Sequence, residues 1–92
     1  MEAMKGYGYY DVVEVLKKLG LKKEADVKEF EFEHWDKKVG GTFITIIVRY
    51  GEGTIDIQDL YNNIFWIGIP YEHFLKNLNR YKTIKTLKAL NS

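Results

Sequence analysis

An alternation of apolar and polar positions in the middle of the chain predicts a β-hairpin. Residues 42–50, TFITIIVRY, are rich in β-branched and aromatic types and repeat with a period of two. The loop at 51–53, Gly-Glu-Gly, can supply the positive φ angles that short hairpins require. Residues 54–61, TIDIQDLY, continue the alternation, with Ile55 and Ile57 toward the core. The two segments are therefore predicted to be adjacent antiparallel strands.

One further strand is predicted on each side of this hairpin. Before it, residues 27–35 alternate so that Phe30, Phe32 and His34 face one way. The opposite positions form an expected acidic outer face with one aromatic residue: Glu29, Glu31, Glu33 and Trp35. After the hairpin, residues 64–69, IFWIGI, form a nearly continuous apolar strand.

Helices are predicted at both ends of the sheet. Residues 11–19 place apolar side chains at i, i+3, i+4 and i+7, and Gly20 is a natural helix terminator. Pro70 cannot continue a ladder and opens a second helix. Either this helix bends near Asn79, or a separate short helix starts after Thr83. The predicted fold is α+β: a four-stranded antiparallel meander with an N-terminal and a C-terminal helix packed on one face.

Length and composition fit one small intracellular domain. The 92 residues are predicted to form a single domain, 1–92, with a loose glycine-rich segment at 1–8. The absence of cysteine excludes disulfides and favours a cytoplasmic location. No apolar run approaches the length of a membrane span, so no membrane association is expected. Abundant Lys and Glu are typical of thermophilic proteins, and a thermophilic or viral origin is expected.

The charges are polarised along the chain, although the net charge is only +1. Residues 24–36 contain six acidic residues and one basic residue, whereas no acidic residue follows Glu72. A net charge near zero argues against a purely electrostatic nucleic-acid binder. The basic C-terminus is therefore the part expected to meet phosphate.

No motif for catalysis, metal binding or nucleotide binding is present. His34 and His73 lack the spacing of a metal-ligand pair. Two groups of carboxylates could do acid–base work or bind Mg²⁺: Asp56 and Asp59 beside the hairpin, and Glu29, Glu31 and Glu33 on one strand face. Glutamates repeated with a period of two are, however, typical of a solvated strand face. A nucleophile is also missing, because there is no cysteine and the single serine is Ser92. We therefore expect no enzymatic activity, no cofactor and no metal site.

Binding of single-stranded nucleic acid is the most specific hypothesis. Such strands are bound by aromatic side chains on a sheet beside a groove of Lys and Arg. The expected contact residues come from the strands and from the basic C-terminus: Phe43, Thr45, Arg49, Tyr61, Trp66, Lys76, Arg80, Lys82, Lys85 and Lys88. Each of them also has an ordinary interpretation as core packing or as a solvated helix face.

The alternative is a non-enzymatic protein-interaction module, such as an accessory or inhibitory protein of a virus. Its contact surface would be the acidic strand face, with Glu29, Glu31 and Glu33 meeting a basic partner and Trp35 as an anchor. The sequence leaves both alternatives open. Nucleic-acid binding accounts for more residues at once.

Two segments, 48–61 (VRYGEGTIDIQDLY) and 66–78 (WIGIPYEHFLKNL), resemble the single-stranded-DNA-binding domain of the positive-cofactor-four family of transcriptional coactivators. The positions that carry the resemblance are Ile55, Asp56, Ile57, Pro70, Glu72 and Phe74. It implies a homodimer of four-stranded units that cradles single-stranded nucleic acid on a curved sheet. It also implies that Arg49 matches a family arginine and that Tyr61 matches a stacking aromatic.

Overall fold

Five strands and three α-helices make up residues 7–91, the part of the chain that the computed structural model describes. The helices are α1 (Tyr9–Lys18), α2 (Tyr71–Lys76) and α3 (Lys82–Leu90). The strands are β1 (Lys22–Val27), β2 (Phe32–Val39), β3 (Thr42–Arg49), β4 (Thr54–Asp59) and β5 (Ile64–Pro70). Single 3₁₀ turns, Lys28–Phe30 and Leu78–Arg80, precede β2 and α3. Most of the segment expected to be loose, 1–8, lies outside the described residues.

The strands form one antiparallel meander in the order β1-β2-β3-β4-β5, so each strand pairs with its neighbours in sequence. Ile46 at the centre of β3 lies opposite Trp35 of β2 and Ile57 of β4. The predicted hairpin closes through Gly53, whose φ of +74° suits glycine and whose N–H donates to the Arg49 carbonyl at 2.9 Å. The order leaves β1 and β5 as the two edges of the sheet.

All three helices pack on one face of the sheet, which we call the covered face. Its strands contribute apolar side chains at every second position: Trp35, Val39, Ile44, Ile46, Val48, Ile55, Ile57 and Ile69. The helices contribute Val12 and Leu16 from α1, Phe74 from α2, and Ile84 and Leu87 from α3. These residues form one contiguous core, which is the main source of stability in a domain of this size.

The predicted α+β class is confirmed, including the antiparallel sheet with helices at both ends. The count of four strands is wrong, because β1 adds a fifth. Its sequence, KKEADV, carries four charged residues in six positions and lacks the β-branched and aromatic types typical of strands. Backbone pairing with β2 forms this strand despite its low intrinsic propensity.

The predicted orientation of β2 is also wrong. The chain turns through the 3₁₀ segment Lys28–Phe30, and Glu31 takes a left-handed φ of 57° before the strand begins at Phe32. Glu29 and Glu31 therefore lie before the strand, while Glu33 and Trp35 point into the covered face and are each 3% exposed. The acidic outer face expected of Glu29, Glu31, Glu33 and Trp35 does not exist.

The C-terminal part follows the second of the two alternatives, with a separate helix. The α3 helix begins at Lys82, so the N-cap role expected of Thr83 is wrong. Thr83 is buried inside the helix, and its hydroxyl donates to the carboxylate of Asp59. Asp59 also accepts from the N–H and the side-chain amide of Asn62, both at 2.9 Å. Asn62 in turn reaches Thr86 of α3, so the β4–β5 turn and the last helix are tied together.

Candidate nucleic-acid interface

The sheet face opposite the helices, which we call the open face, is covered by no helix of residues 7–91. Side chains that pair across antiparallel strands point to the same face, so the register identifies its members. They include Lys22, Phe32, His34, Asp36, Lys38, Phe43, Thr45, Ile47, Arg49, Thr54, Asp56, Gln58 and Phe65. The open face thus combines aromatic rings, amide and hydroxyl groups, and charges of both signs.

Two phenylalanines are the most exposed rings of the open face. Phe43 on β3 is 52% exposed and Phe65 on β5 is 59% exposed. Phe65 pairs with Gln58 of β4, which pairs with Thr45 of β3. Phe43 is two residues before Thr45, so the two rings are two strands and two residues apart. From the usual spacings of a sheet, their Cα atoms are about 12 Å apart. The two rings are therefore placed to stack on two different bases rather than to sandwich one.

Arg49 is held in a fixed position by Asp56. Its Nε and Nη2 donate to Asp56 Oδ2 at 3.0 and 2.8 Å, and its guanidinium lies 5.6 Å from the centre of the Phe32 ring. Asp56 is 2% exposed, and its second oxygen accepts from the N–H of Gly68 in β5 at 2.9 Å. The Asp56 hydrogen bond also raises the pKa of Arg49. The charge of Arg49 is therefore largely neutralised, while its planar group stays oriented at the face.

A second carboxylate, Asp36, organises the neighbouring row of the open face. It accepts from the Thr45 hydroxyl at 2.7 Å and lies 3.1 Å from Nε2 of His34. Thr45 is buried by its neighbours, so its hydroxyl serves this contact. Two lysines at the margin of the face, Lys22 and Lys38, form no ion pair with residues 7–91 and supply its free positive charge.

The residues predicted to bind nucleic acid do not converge on one surface. Phe43, Thr45 and Arg49 share the open face. The basic C-terminal residues instead belong to the helical segments on the other side of the sheet: Lys76, Arg80, Lys82, Lys85 and Lys88. Lys76 is paired with Glu72 at 2.8 Å, and Lys88 donates to Asn79 at 2.7 Å.

The two remaining predicted residues, Tyr61 and Trp66, lie at the β5 side of the molecule. Tyr61 is exposed in the turn between β4 and β5. Trp66 lies opposite Ile57 and so points toward the helices, where its ring meets Tyr81 edge-on at 6.3 Å. Neither side chain shares the open face with Phe43.

The sequence-based prediction missed Phe65, Gln58, Lys22 and Lys38. The near-continuous apolar run in β5 has no alternation of apolar and polar residues, so the sequence does not indicate that Phe65 is exposed. The usable signal was pairing: because Ile55 and Ile57 face the core, the alternation puts Gln58 on the opposite side of β4, and Phe65 is its antiparallel partner. Lys22 was invisible because β1 itself was not predicted.

Buried carboxylates on the covered face are occupied by structural contacts. Glu33 accepts from Tyr9 Oη at 2.5 Å and from Trp35 Nε1 at 2.9 Å, and Lys23 Nζ lies 3.6 Å away. Burial, together with the hydrogen bond to Glu33, raises the pKa of Tyr9 well above its usual range. This arrangement anchors α1 to β2 and leaves no oxygen of Glu33 aimed at a ligand.

Comparison with protein-family models, with curated proteins and with solved structures finds no match for the chain. The resemblance to the positive-cofactor-four family therefore stays a prediction. Within residues 7–91, no group of three or more His, Cys, Asp or Glu side chains is placed to hold a metal ion. The helices of that range are all too short or too polar to cross a membrane.

Proposed function

We propose that the protein is a non-enzymatic binder of single-stranded nucleic acid that uses its open face. The single observation that carries the proposal is the pair of half-exposed rings, Phe43 and Phe65, on a sheet face that no helix of residues 7–91 covers. Every base has a π-face, so such rings support stacking without sequence preference.

Polar groups between the rings supply the second contribution. Gln58 lies beside Phe65 and can donate to and accept from a base edge. The guanidinium of Arg49, fixed by Asp56, offers a planar surface for stacking. Lys22 and Lys38 at the margin are suited to contact phosphate.

The open face has few free cations. The proposal therefore predicts that the affinity for nucleic acid depends only weakly on salt concentration. Counting Lys22, Lys38 and a partly neutralised Arg49, about two to three counterions are released, for a slope of log K against log salt of about −1.4 to −2. Affinity then falls only about tenfold between 50 and 200 mM salt. Binding through the basic helices would give a steeper slope.

The test measures fluorescence anisotropy of a labelled single-stranded oligonucleotide at 50 mM salt. Replacing Phe43 or Phe65 by Ala should weaken binding by about 1–3 kcal/mol each, the usual contribution of one stacked base. Tyr10→Ala is the matched control, because Tyr10 is an exposed aromatic on the helical side. Its affinity should equal that of the wild type.

Two outcomes would overturn the proposal. One is the absence of binding at 50 mM salt. The other is binding that survives both phenylalanine substitutions and is lost in a Lys82→Glu/Lys85→Glu variant, because the helical side would then be the contact surface.

A further inference from the structure

The β5 strand has a free edge lined with exposed apolar side chains. Within residues 7–91 it pairs with β4 on one side only. Ile67 is 83% exposed and Trp66 is 51% exposed, and Phe65 is also exposed beside them. An open, apolar strand edge is a template for pairing with another strand.

The segment around this edge carries no charge. All twelve positions from Leu60 to Tyr71, LYNNIFWIGIPY, are uncharged. Like charges placed opposite each other destabilise paired strands, and this segment can meet an identical copy of itself without any such contact. A different protein could not recognise this edge by charge complementarity, which usually contributes to the choice of a partner.

The two ends of β5 limit how much of the edge can pair. Asn63, with a left-handed φ of 57°, closes the turn before the strand. Gly68 sits in a bulge with φ +76°, and Pro70 has no N–H to donate. The pairing-competent stretch is therefore short, at residues 64–67.

We propose that β5 pairs antiparallel with β5 of a second copy of the chain, about a two-fold axis at Trp66. Paired residues must face the same side of a continuous sheet. A two-fold axis perpendicular to the sheet therefore lies midway between one residue and the same residue of the second copy. With the axis at Trp66, Phe65 pairs with Ile67 of the second copy. Aromatic and β-branched residues pair favourably across strands.

The exposed apolar area at this edge sets the upper limit of the interface. Leu60 and Tyr61 in the preceding turn extend the three side chains of the edge. At the exposures observed, and with side-chain areas of about 150–250 Å², these five residues offer roughly 600 Å² per protomer. Complete burial of this area on both protomers would give about 1,200 Å², the lower limit of a standard interface.

Pairing through β5 stops at two copies, because it uses the open β5 edge of both. Its product is a ten-stranded sheet whose outer edges are both β1, and β1 is charged at four of six positions. The two open faces lie on the same side of that sheet, because the axis is perpendicular to it. The inference does not depend on the proposed nucleic-acid function, since it rests on the edge alone.

Sedimentation equilibrium of the full chain tests the proposal directly. The wild type should be dimeric, and Ile67→Lys should raise the dimer dissociation constant about 100-fold or more, because each dimer loses two apolar contacts and gains two buried charges. Tyr10→Lys is the matched control and should leave the constant unchanged, since Tyr10 is an exposed ring on the helical side. Circular dichroism should show both variants folded, because both side chains are exposed.

Disulfide trapping tests the register, because the chain has no cysteine of its own. Residues that pair across an antiparallel ladder have Cα atoms about 4.5–5.5 Å apart, within disulfide reach. Under mild oxidation Trp66→Cys should cross-link to its own copy faster than Phe65→Cys. Ala25→Cys on the β1 edge should form no disulfide cross-link in the same conditions.

A monomeric wild type at 100 µM protein would overturn the inference. So would a dimer that Ile67→Lys leaves intact, or faster cross-linking at Ala25→Cys than at Trp66→Cys. None of these results touches the nucleic-acid proposal, which is measured by anisotropy of a labelled oligonucleotide.

Discussion

The two edges of the sheet have the same topological position and opposite chemistry. Each of β1 and β5 pairs with a single neighbour among the described residues. The β1 edge carries charges at four of six positions and has ion pairs around it, Lys23–Glu33 and Lys28–Asp26. The β5 edge carries no charge at all and exposes Phe65, Trp66 and Ile67.

The difference teaches that a meander does not decide by itself which of its edges is protected. Charged residues on an edge prevent further pairing, and β1 has them at the expense of strand propensity. The β5 edge has strong strand formers and only Pro70 and a bulge as protection. Sequence choice, rather than topology, makes one edge inert and the other available for association.

Removing Asp56 should have the largest effect, because it supports β5 from the adjacent strand. Asp56→Ala removes three hydrogen bonds, two from Arg49 and one from the Gly68 N–H. We expect a loss of about 3 kcal/mol in the free energy of unfolding, with Arg49 partly exposed to water in compensation. Urea denaturation measures the loss. An Asp56→Ala variant as stable as the wild type would contradict this support role.

The β1 side should be somewhat less sensitive at its equivalent carboxylate. Glu33→Ala leaves the indole N–H of Trp35 buried without its acceptor and removes the anchor of Tyr9. The expected loss is about 2 kcal/mol. Glu33→Gln is the control, since it retains one carbonyl oxygen, and it should recover part of the loss in the same urea titration. Equal losses for Ala and Gln would show that the carbonyl oxygen contributes nothing.

Tyr9 gives a smaller effect with a characteristic pH dependence. Its pKa is raised by burial and by Glu33, so the folded state keeps the proton after unfolded tyrosine loses it near pH 10. Stability is complete below pH 10 and falls above it by about 1.4 kcal/mol per pH unit for each such tyrosine.

Tyr9→Phe should lower stability by about 1 kcal/mol at pH 7 and reduce the alkaline slope. Part of the slope should persist, because burial raises the pKa of Tyr71 to about 12. Thermal unfolding followed between pH 8 and 11 measures both quantities. An unchanged slope in Tyr9→Phe would contradict the raised pKa of the Tyr9 hydroxyl in the folded state.

Removing two of the four charges of β1 should change stability least, within about 0.5 kcal/mol, since exposed charges contribute little. The informative change is in assembly. A Lys22→Thr/Glu24→Thr variant turns the protected edge into a second open one, and chains with two open edges can form unlimited arrays. Light scattering at rising protein concentration should detect this growth in the variant and not in the wild type.

Much of the fold could be predicted, because local signals and tertiary structure agree there. The alternation in residues 42–61, the Gly-Glu-Gly loop and the helix start after Pro70 are all confirmed. Each depends on residues whose backbone preference is strong and short in range.

The errors come from places where long-range contacts outweigh local pattern. Nothing within residues 27–35 reveals that Glu33 will meet Tyr9, which lies 24 positions earlier, on the covered face of the sheet. The left-handed residue at Glu31 breaks the period just before the strand. The candidate site was incompletely predicted for the same reason. Phe65 and Phe43 lie on one face only because β5 pairs with β4 and β4 pairs with β3.

Asp59 has a consequence for how the chain acquires its structure during synthesis. All five strands pair with sequence neighbours, so the meander can assemble as soon as β5 has left the ribosome. The Asp59 carboxylate is fully buried in the finished protein, yet one of its donors, Thr83, is made 24 residues later. Until then Asn62 is its protein donor, and water must take the place of Thr83. The nascent sheet thus stays hydrated at one corner, and the arrival of α3 makes the last step of folding an expulsion of water.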